Sequence, residues 1–170
     1  AATFANPTPI PVNVSKAADA LTYASAGNCA APVSIYSEVL PFNLGTRVIF
    51  NADDGTVNNR LTANIATASN KYETTVVTAT ATVANITDSS QALTAGTLFK
   101  CASVFAENDV RQYVNGAADG TPDVSAAMPT VTTIRVGNYP NVGVELFGTV
   151  RNLRGYSRAL NALVLQTMTA

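Results

Sequence analysis

Histidine and tryptophan are both missing from the 170 residues of this sequence. Without an imidazole, the chain can build neither a His-based catalytic triad nor a zinc or haem site with histidine ligands. Charged residues make up only 12% of the chain, about half of the usual quarter. The formal net charge is -1, so there is no strong field for nucleic-acid backbones or anionic lipids. We therefore expect no catalytic role, no cofactor and no nucleic-acid partner.

Cysteine is nearly as scarce, because the chain contains only Cys29 and Cys101. Two cysteines do not make a disulfide framework. Cys101 shares one face of a predicted strand with Phe99 and Phe105, which is the spacing of a small core residue. A bridge between Cys29 and Cys101 stays open, since the sequence does not give the distance between their Cα atoms.

Long apolar runs are also missing, and none approaches the roughly 20 residues that cross a bilayer. We expect no membrane insertion. At the N-terminus, residues 1–13 carry Pro7, Pro9 and Pro11 at alternate positions, which favours an extended, polyproline-like arm. This arm is interpreted as a linker, or as a tether to a segment upstream. Residues 14–170 have the length of one ordinary domain.

What the chain does have is 28 Ala, 22 Thr and a series of short β-type runs. Turn residues separate the runs, and Asn115-Gly116 is the strongest signal because both residues tolerate the positive φ of a type I′ hairpin. Many short strands at intervals of roughly ten residues predict an all-β antiparallel sandwich. The strands are predicted at 20–24, 33–40, 47–52, 60–66, 72–80, 82–86, 98–105, 110–115, 132–137 and 147–154.

Only the C-terminus has a helical pattern. Asn161 is a good N-cap, and Leu160 and Leu165 occupy the two positions of a hydrophobic staple. Leu165 and Met168 can then face the sandwich. A helix this short is not stable alone, so its stability must come from packing.

Two segments carry candidate functional groups. Asp53 and Asp54 precede a glycine, and clustered carboxylates could bind Ca²⁺, but the spacing of a calcium loop is absent and Asp-Gly is an ordinary turn dipeptide. The segment is therefore interpreted as a turn, with cation binding as the alternative. Tyr139 lies in a Gly-Asn-Tyr-Pro-Asn loop, where an aromatic ring can be presented to a sugar.

Glycoside hydrolysis needs two carboxylates at a fixed separation across a cleft. Glu38 and Glu73 each stand alone in a predicted strand, with no acidic neighbour two residues away. The sequence therefore disfavours a glycosidase.

Four motifs in the second half of the chain resemble one family in their order and spacing. They are TAGTLFKCA at 94–102, NDVRQYVNG at 108–116, MPTVTTIRVG at 128–137 and FGTVRNLRGYSRAL at 147–160. Together they resemble the concanavalin A-like (laminin G-like) jelly roll, and more narrowly the version found in bacteriophage tail-fibre, tailspike and other virion proteins. The resemblance covers about residues 14–170 and implies a jelly-roll β-sandwich with a short C-terminal helix.

The sequence also departs from this family. The closing helix of the family usually starts Ser-x-x-Glu, whereas Asn161 is followed at the third position by Val164, so the reciprocal acid of the capping box is lost. No calcium-ligand set can be matched beyond Asp53 and Asp54, so no metal site is carried over. The acidic motif of the related glucanases is missing, which disfavours an enzyme.

The resemblance implies a non-enzymatic module on the surface of a virion, an exposed fibre, spike or decoration domain that adheres to host-surface glycans. Its partners would be further copies of itself, for instance in a trimer, other virion proteins and host glycans. Two alternatives are a purely structural oligomerisation or capsid-decoration domain and, less favoured, a glycan hydrolase. The binding residues are predicted to be Tyr139 and Asn141 first, then Asp53 and Asp54, in end loops or on the concave sheet.

Overall fold

Eleven strands and one helix make up the part of the chain that the computed structural model describes, which is residues 21–25, 29–66, 69–140 and 143–170. The arm predicted at 1–13 lies outside these residues. The elements are β1 (Leu21–Ala24), β2 (Val33–Pro41), β3 (Arg47–Asp53), β4 (Arg60–Ile65), β5 (Tyr72–Thr78), β6 (Ala81–Ile86), β7 (Phe99–Ala106), β8 (Asp109–Val114), β9 (Ala117–Ala118), β10 (Thr133–Val136), β11 (Gly148–Tyr156) and α1 (Ala162–Thr169).

The strands form two antiparallel sheets that pack face to face as a jelly-roll sandwich. The six-stranded sheet has the order β1-β10-β3-β4-β5-β6, and the five-stranded sheet has the order β11-β2-β7-β8-β9. All ten predicted strands are confirmed within two residues at the ends that the structure describes. Strand β9 was not predicted, because two residues are too few for an alternating pattern.

Period-two alternation decides which side chains enter the core. In β4, Leu61 and Ile65 are fully buried between the sheets, whereas Arg60 and Thr62 point to the opposite side. Cys101 lies in the same core, as its spacing predicts, and burial raises the pKa of its thiol to about 12. Both cysteines are free, buried thiols, so no disulfide joins them.

Three hairpin turns between paired strands use residues with positive φ, and the one between β7 and β8 has Asn108 at 57°. The predicted turn at Asn115 and Gly116 joins β8 to β9 with φ values of 46° and 84°. Ala79 and Thr80 make the turn between β5 and β6 with φ values of 49° and 73°, although neither residue favours this region. The strand predicted at 72–80 therefore ends two residues earlier, because the chain turns back there.

Helix α1 covers the outer side of the five-stranded sheet. Its N-cap is Asn161, whose Oδ1 accepts a hydrogen bond of 3.0 Å from the backbone N–H of Val164. Leu160 and Leu165 are buried, and Met168 packs against the same cluster, as predicted. The remaining members of this cluster are Tyr36, Ala102, Val104, Ala106, Tyr113 and Tyr156. Within the described ranges, no helix is both long and apolar enough to traverse a lipid bilayer.

Candidate functional site

The outer side of the six-stranded sheet is a continuous polar surface, which we call the polar face. One cross-strand row illustrates its composition, since each member lies beside the next in the strand register. The row consists of Arg135 on β10, Asn51 on β3, Thr62 on β4, Thr75 on β5 and Asn85 on β6. Thr75 and Asn85 are accessible at the β5–β6 end of this row, whereas Asn51 and Thr62 are buried in the sheet and hydrogen-bond to each other.

A depression of about 350 Å³ lies on the polar face. Strands β3 to β6 contribute its floor, and the loop after β10 contributes Tyr139 and Val144. This loop is tied to the sheet because the backbone N–H of Val48 donates to the carbonyl of Val144 at 2.9 Å. The lining residues are Thr46, Val48, Arg60, Thr62, Asn64, Glu73, Thr75, Thr82, Asn85, Tyr139 and Val144.

At one end of the cavity, an arginine lies against an aromatic ring. The guanidinium carbon of Arg60 is 5.4 Å from the ring centroid of Tyr139, within the range of a cation–π contact. The same guanidinium donates through Nη1 to the carbonyl oxygen of Val57. Burial raises the pKa of the Tyr139 phenol, which therefore stays protonated and able to donate a hydrogen bond at neutral pH.

Asp53 stabilises the sheet beneath this end. Its carboxylate is fully buried and accepts hydrogen bonds from Arg135 Nε at 2.7 Å, from Asn51 Nδ2 at 2.5 Å and from the Gly55 N–H at 2.7 Å. Asn51 in turn accepts from Thr62 Oγ1 at 2.8 Å. The predicted site residue Asp53 therefore holds Arg135 and Asn51 in place on the polar face.

Asp54 organises the loop that leads into β4. Its carboxylate accepts hydrogen bonds from the N–H and the hydroxyl of Thr56, at 2.9 Å and 2.6 Å, and from Asn59 Nδ2 at 2.8 Å. These bonds lower the pKa of Asp54. The interpretation of this segment as a turn agrees with this geometry. Among the described residues, no three His, Cys, Asp or Glu side chains gather as they would around a metal ion.

The other end of the cavity carries a carboxylate. Glu73 accepts a hydrogen bond of 3.1 Å from Asn64 Nδ2 and one of 3.4 Å from Thr75 Oγ1. Glu38, the other acid considered for hydrolysis, lies on the outer side of the opposite sheet, 3.5 Å from Nε of Arg151. The two glutamates therefore cannot flank one glycosidic bond.

The structure brings three of the four predicted site residues to one end of the polar face. Tyr139 lines the cavity, Asp53 lies beside Arg60 in the strand register, and Asp54 begins the loop before Arg60. Asn141 lies outside the described residues. The sequence analysis missed most of the floor, although polar residues at every second position of β4 and β5 were a usable signal. The missed polar residues are Thr46, Arg60, Thr62, Asn64, Thr75, Thr82 and Asn85, and Glu73 was considered only as an acid for hydrolysis.

A family model described as the concanavalin A-like lectin/glucanases superfamily matches residues 16–164. The chain belongs to this superfamily. The fold implied by the sequence resemblance is thereby confirmed for nearly the whole chain. No curated protein matches the chain significantly.

Solved structures share the superfamily fold at low sequence identity. The CBM40 module of Ruminococcus gnavus IT-sialidase, bound to α2,3-sialyllactose, superposes with a TM-score of 0.67 at 11% identity, over 81% of this chain and 82% of the module. The native heptameric SAP-like pentraxin of Limulus polyphemus gives 0.63 at 14% identity, over 81% and 69%.

Domain 4 of the extracellular GH43 arabinanase AbnA from Geobacillus stearothermophilus, in complex with arabinotriose, gives a TM-score of 0.62 at 18% identity. That match covers 82% of this chain and 66% of the domain structure. These likenesses establish a fold shared with lectins and carbohydrate-binding modules.

Proposed function

We propose that this protein is a non-enzymatic glycan-binding module and that the cavity on the polar face is its binding site. The observation that carries the proposal is the joint arrangement of Tyr139, Arg60, Asn64 and Glu73 around one cavity. An aromatic ring beside amide, hydroxyl and charged groups suits a sugar, which has both apolar ring faces and hydroxyls.

Several side chains that line the cavity are already held in place before a sugar binds. Asn64, Thr75 and Asn85 are already hydrogen-bonded to neighbouring side chains, so little rotamer freedom is lost when a ligand binds. The solved carbohydrate-binding modules of the same fold add support for glycan binding as the class of function.

A non-catalytic role is supported by the acids of the cavity. Of the described residues that line it, Glu73 is the one carboxylate. Retaining and inverting glycosidases both use two carboxyl groups flanking the scissile bond, roughly 5 to 10 Å apart. Asp53 does not meet this need, since its carboxylate is fully buried and paired with Arg135.

We further propose that the module is exposed on a bacteriophage particle, as a fibre, spike or decoration domain that adheres to host-surface glycans. This part of the proposal is supported by the virion-type motifs at 94–102, 108–116, 128–137 and 147–160. Its other partners would be further copies of the chain and other virion proteins.

A structural, ligand-free assembly domain is the second candidate. It is favoured by an exposed aromatic pair, Phe42 and Phe147, whose ring centroids are 6.0 Å apart in an edge-to-face arrangement. More than half of each side chain faces solvent, which is typical of surfaces that contact another protein. A chain that multimerises but binds no glycan would support this candidate.

A glycan array followed by calorimetric titration of the best ligand tests the leading proposal. We expect binding without release of sugar, and a loss of about fivefold in affinity in Tyr139→Ala, since an aromatic contact contributes on the order of 1 kcal/mol. Tyr23→Ala is the matched control, because Tyr23 is exposed on β1 and does not line the cavity. Equal losses in both variants, or sugar release by the wild type, would contradict the proposal.

A further inference from the structure

The cavity on the polar face has opposite charges at its two ends. Arg60 lies at one end of β4, and Glu73 pairs in register with Asn64 near the other end. Arg60 and Asn64 are four residue steps apart along β4, so their Cα atoms are roughly 13 Å apart at the rise of an antiparallel strand. A ligand that lies along this stretch of β4 is longer than one pyranose ring.

The arginine end has an uncommitted cation. Arg135 and Arg151 each form a salt bridge, to Asp53 and to Glu38. In the described part of the chain, no carboxylate forms a salt bridge with Arg60. Asp53 lies beside Arg60 in the strand register, but its oxygens are already bonded to Arg135, Asn51 and Gly55, so Arg60 keeps N–H groups for an anion that enters the cavity.

The guanidinium of Arg60 is also held in a defined orientation. Its Nη1 donates to the carbonyl of Val57, and its central carbon lies over the ring of Tyr139, 5.4 Å from the centroid. A fixed guanidinium presents its remaining N–H groups as a planar fork that matches the two oxygens of a carboxylate. Because the side chain is already ordered, less entropy is lost on pairing than for a free surface arginine.

The glutamate end has different chemistry. Asn64 Nδ2 donates to one oxygen of the Glu73 carboxylate, and the single hydroxyl proton of Thr75 is shared between the other oxygen at 3.4 Å and Asn85 Oδ1 at 3.2 Å, which leaves further lone pairs of Glu73 free. Those lone pairs can accept hydrogen bonds from sugar hydroxyls, whereas a second anion placed there would be repelled. The two ends of the cavity therefore favour different parts of one ligand.

We propose that the cavity binds an acidic oligosaccharide of two or three sugars along β4, with a sugar carboxylate paired to Arg60 beside Tyr139 and neutral hydroxyls at Glu73 and Asn64. This inference rests on the proposed glycan-binding function and names its ligand class. The carboxylate belongs to a uronic or a sialic acid, since Arg60 would recognise the same planar group in both.

Two matched pairs of ligands distinguish recognition of the carboxylate from recognition of a particular sugar. The first pair is trigalacturonate and its methyl ester, and the second is sialyllactose and lactose. Calorimetric titration of the full chain at low salt is expected to give at least one pair in which the acid binds about tenfold more tightly, as a charge-assisted hydrogen bond implies. This preference should shrink as salt is added, because the cavity is open to solvent.

Arg60→Gln should abolish the preference, so that acid and neutral partner bind alike. Arg60→Lys keeps the positive charge but lacks the planar fork of N–H groups, so it should retain only part of the preference for the acidic probe over the neutral one. Glu73→Gln should weaken both members of a pair equally and leave the ratio unchanged. The matched control is Arg158→Gln, since Arg158 is exposed and does not line the cavity. Thermal unfolding of each variant verifies that it is folded.

The failures can be told apart. If wild type binds acid and neutral probes equally, the acidic-ligand inference is overturned and glycan binding stands. If the folded Arg60→Gln variant still binds the acidic probe more tightly than the neutral one, another group recognises the carboxylate and the role of Arg60 is overturned. If wild type binds neither probes nor any array glycan, the proposed function falls, and the inference with it.

Discussion

The outer side of the five-stranded sheet is covered by helix α1, whereas the outer side of the six-stranded sheet is polar, is covered in part by the loop after β10 and retains an open cavity. On the covered side, Ala102 and Val104 point outward from β7 and are fully buried under the helix. On the polar face, Thr62 and Asn64 occupy the equivalent outward positions of β4. One side is thus a second core, and the other is available to a ligand.

This difference shows that the same alternation of inward and outward side chains can produce two different outer surfaces. Both sheets send apolar residues inward at every second position, and only the outward residues differ. Apolar outward residues need a cover, which α1 supplies through Leu160 and Leu165. Polar outward residues need none, because they pair with one another, as Thr62 does with Asn51.

The largest effect on the free energy of unfolding is expected where α1 packs on the five-stranded sheet. Leu165→Ala removes a fully buried side chain between α1 and the sheet, and should lower the free energy of unfolding by about 2–5 kcal/mol. Chemical denaturation measures this loss. Leu163→Ala is the control, because Leu163 on the same helix is 73% exposed and should change stability by less than about 0.5 kcal/mol. Similar losses in both variants would mean that α1 does not pack as described.

A smaller effect is expected beneath the polar face. Asp53→Asn removes the charge-assisted hydrogen bonds to Arg135, whose guanidinium is mostly buried, and should cost about 1.5–3 kcal/mol in the free energy of unfolding. Glu38→Gln offers a comparison on the opposite sheet. Its partner Arg151 is half exposed and solvent screens the pair, so the loss of stability there should be clearly smaller than in Asp53→Asn. Equal losses would show that the polar face has no special electrostatic support.

The smallest effect is expected at the far edge of the polar face. Thr80 has a φ of 73°, which is costly for a β-branched residue, so Thr80→Gly should raise the free energy of unfolding by about 0.5–1 kcal/mol. Thr78→Gly, two residues earlier in β5, should instead lower it by about 1–2 kcal/mol, because it weakens the strand and also removes the hydrogen bond from Thr78 Oγ1 to the carbonyl of Ala127. Thermal unfolding of the two variants shows whether each substitution raises or lowers the free energy of unfolding. A loss at Thr80 would mean that the turn is not strained.

The elements of the fold were predictable because their signals are local. Ten strands follow from alternation and turn residues, the hairpin at Asn115 and Gly116 follows from its tolerance of positive φ, and the start of α1 follows from Asn161. The turn at Ala79 and Thr80 was not predicted, since it is held in place by contacts with the loop before β4. Asn59 Oδ1 accepts from the Ala79 N–H at 2.9 Å.

The candidate site was predictable only in part. Tyr139 stood out because loop composition marks a presented aromatic, and Asp53 and Asp54 because carboxylates cluster there. Arg60 and Glu73 did not stand out, since each is a single charge within an ordinary strand pattern. Their significance depends on neighbours distant in the sequence, as when Tyr139 packs on Arg60.

The sequence by itself determined the class of fold, the position of the helix and the exclusion of histidine chemistry, because composition, periodicity and capping act within a few residues. Tertiary structure decided which side of the sandwich is covered and which is open. It also decided that Arg60 and Glu73 share one cavity. Those outcomes depend on strand order and on loops that pack across the sheet, and neither is encoded in any short stretch of the chain.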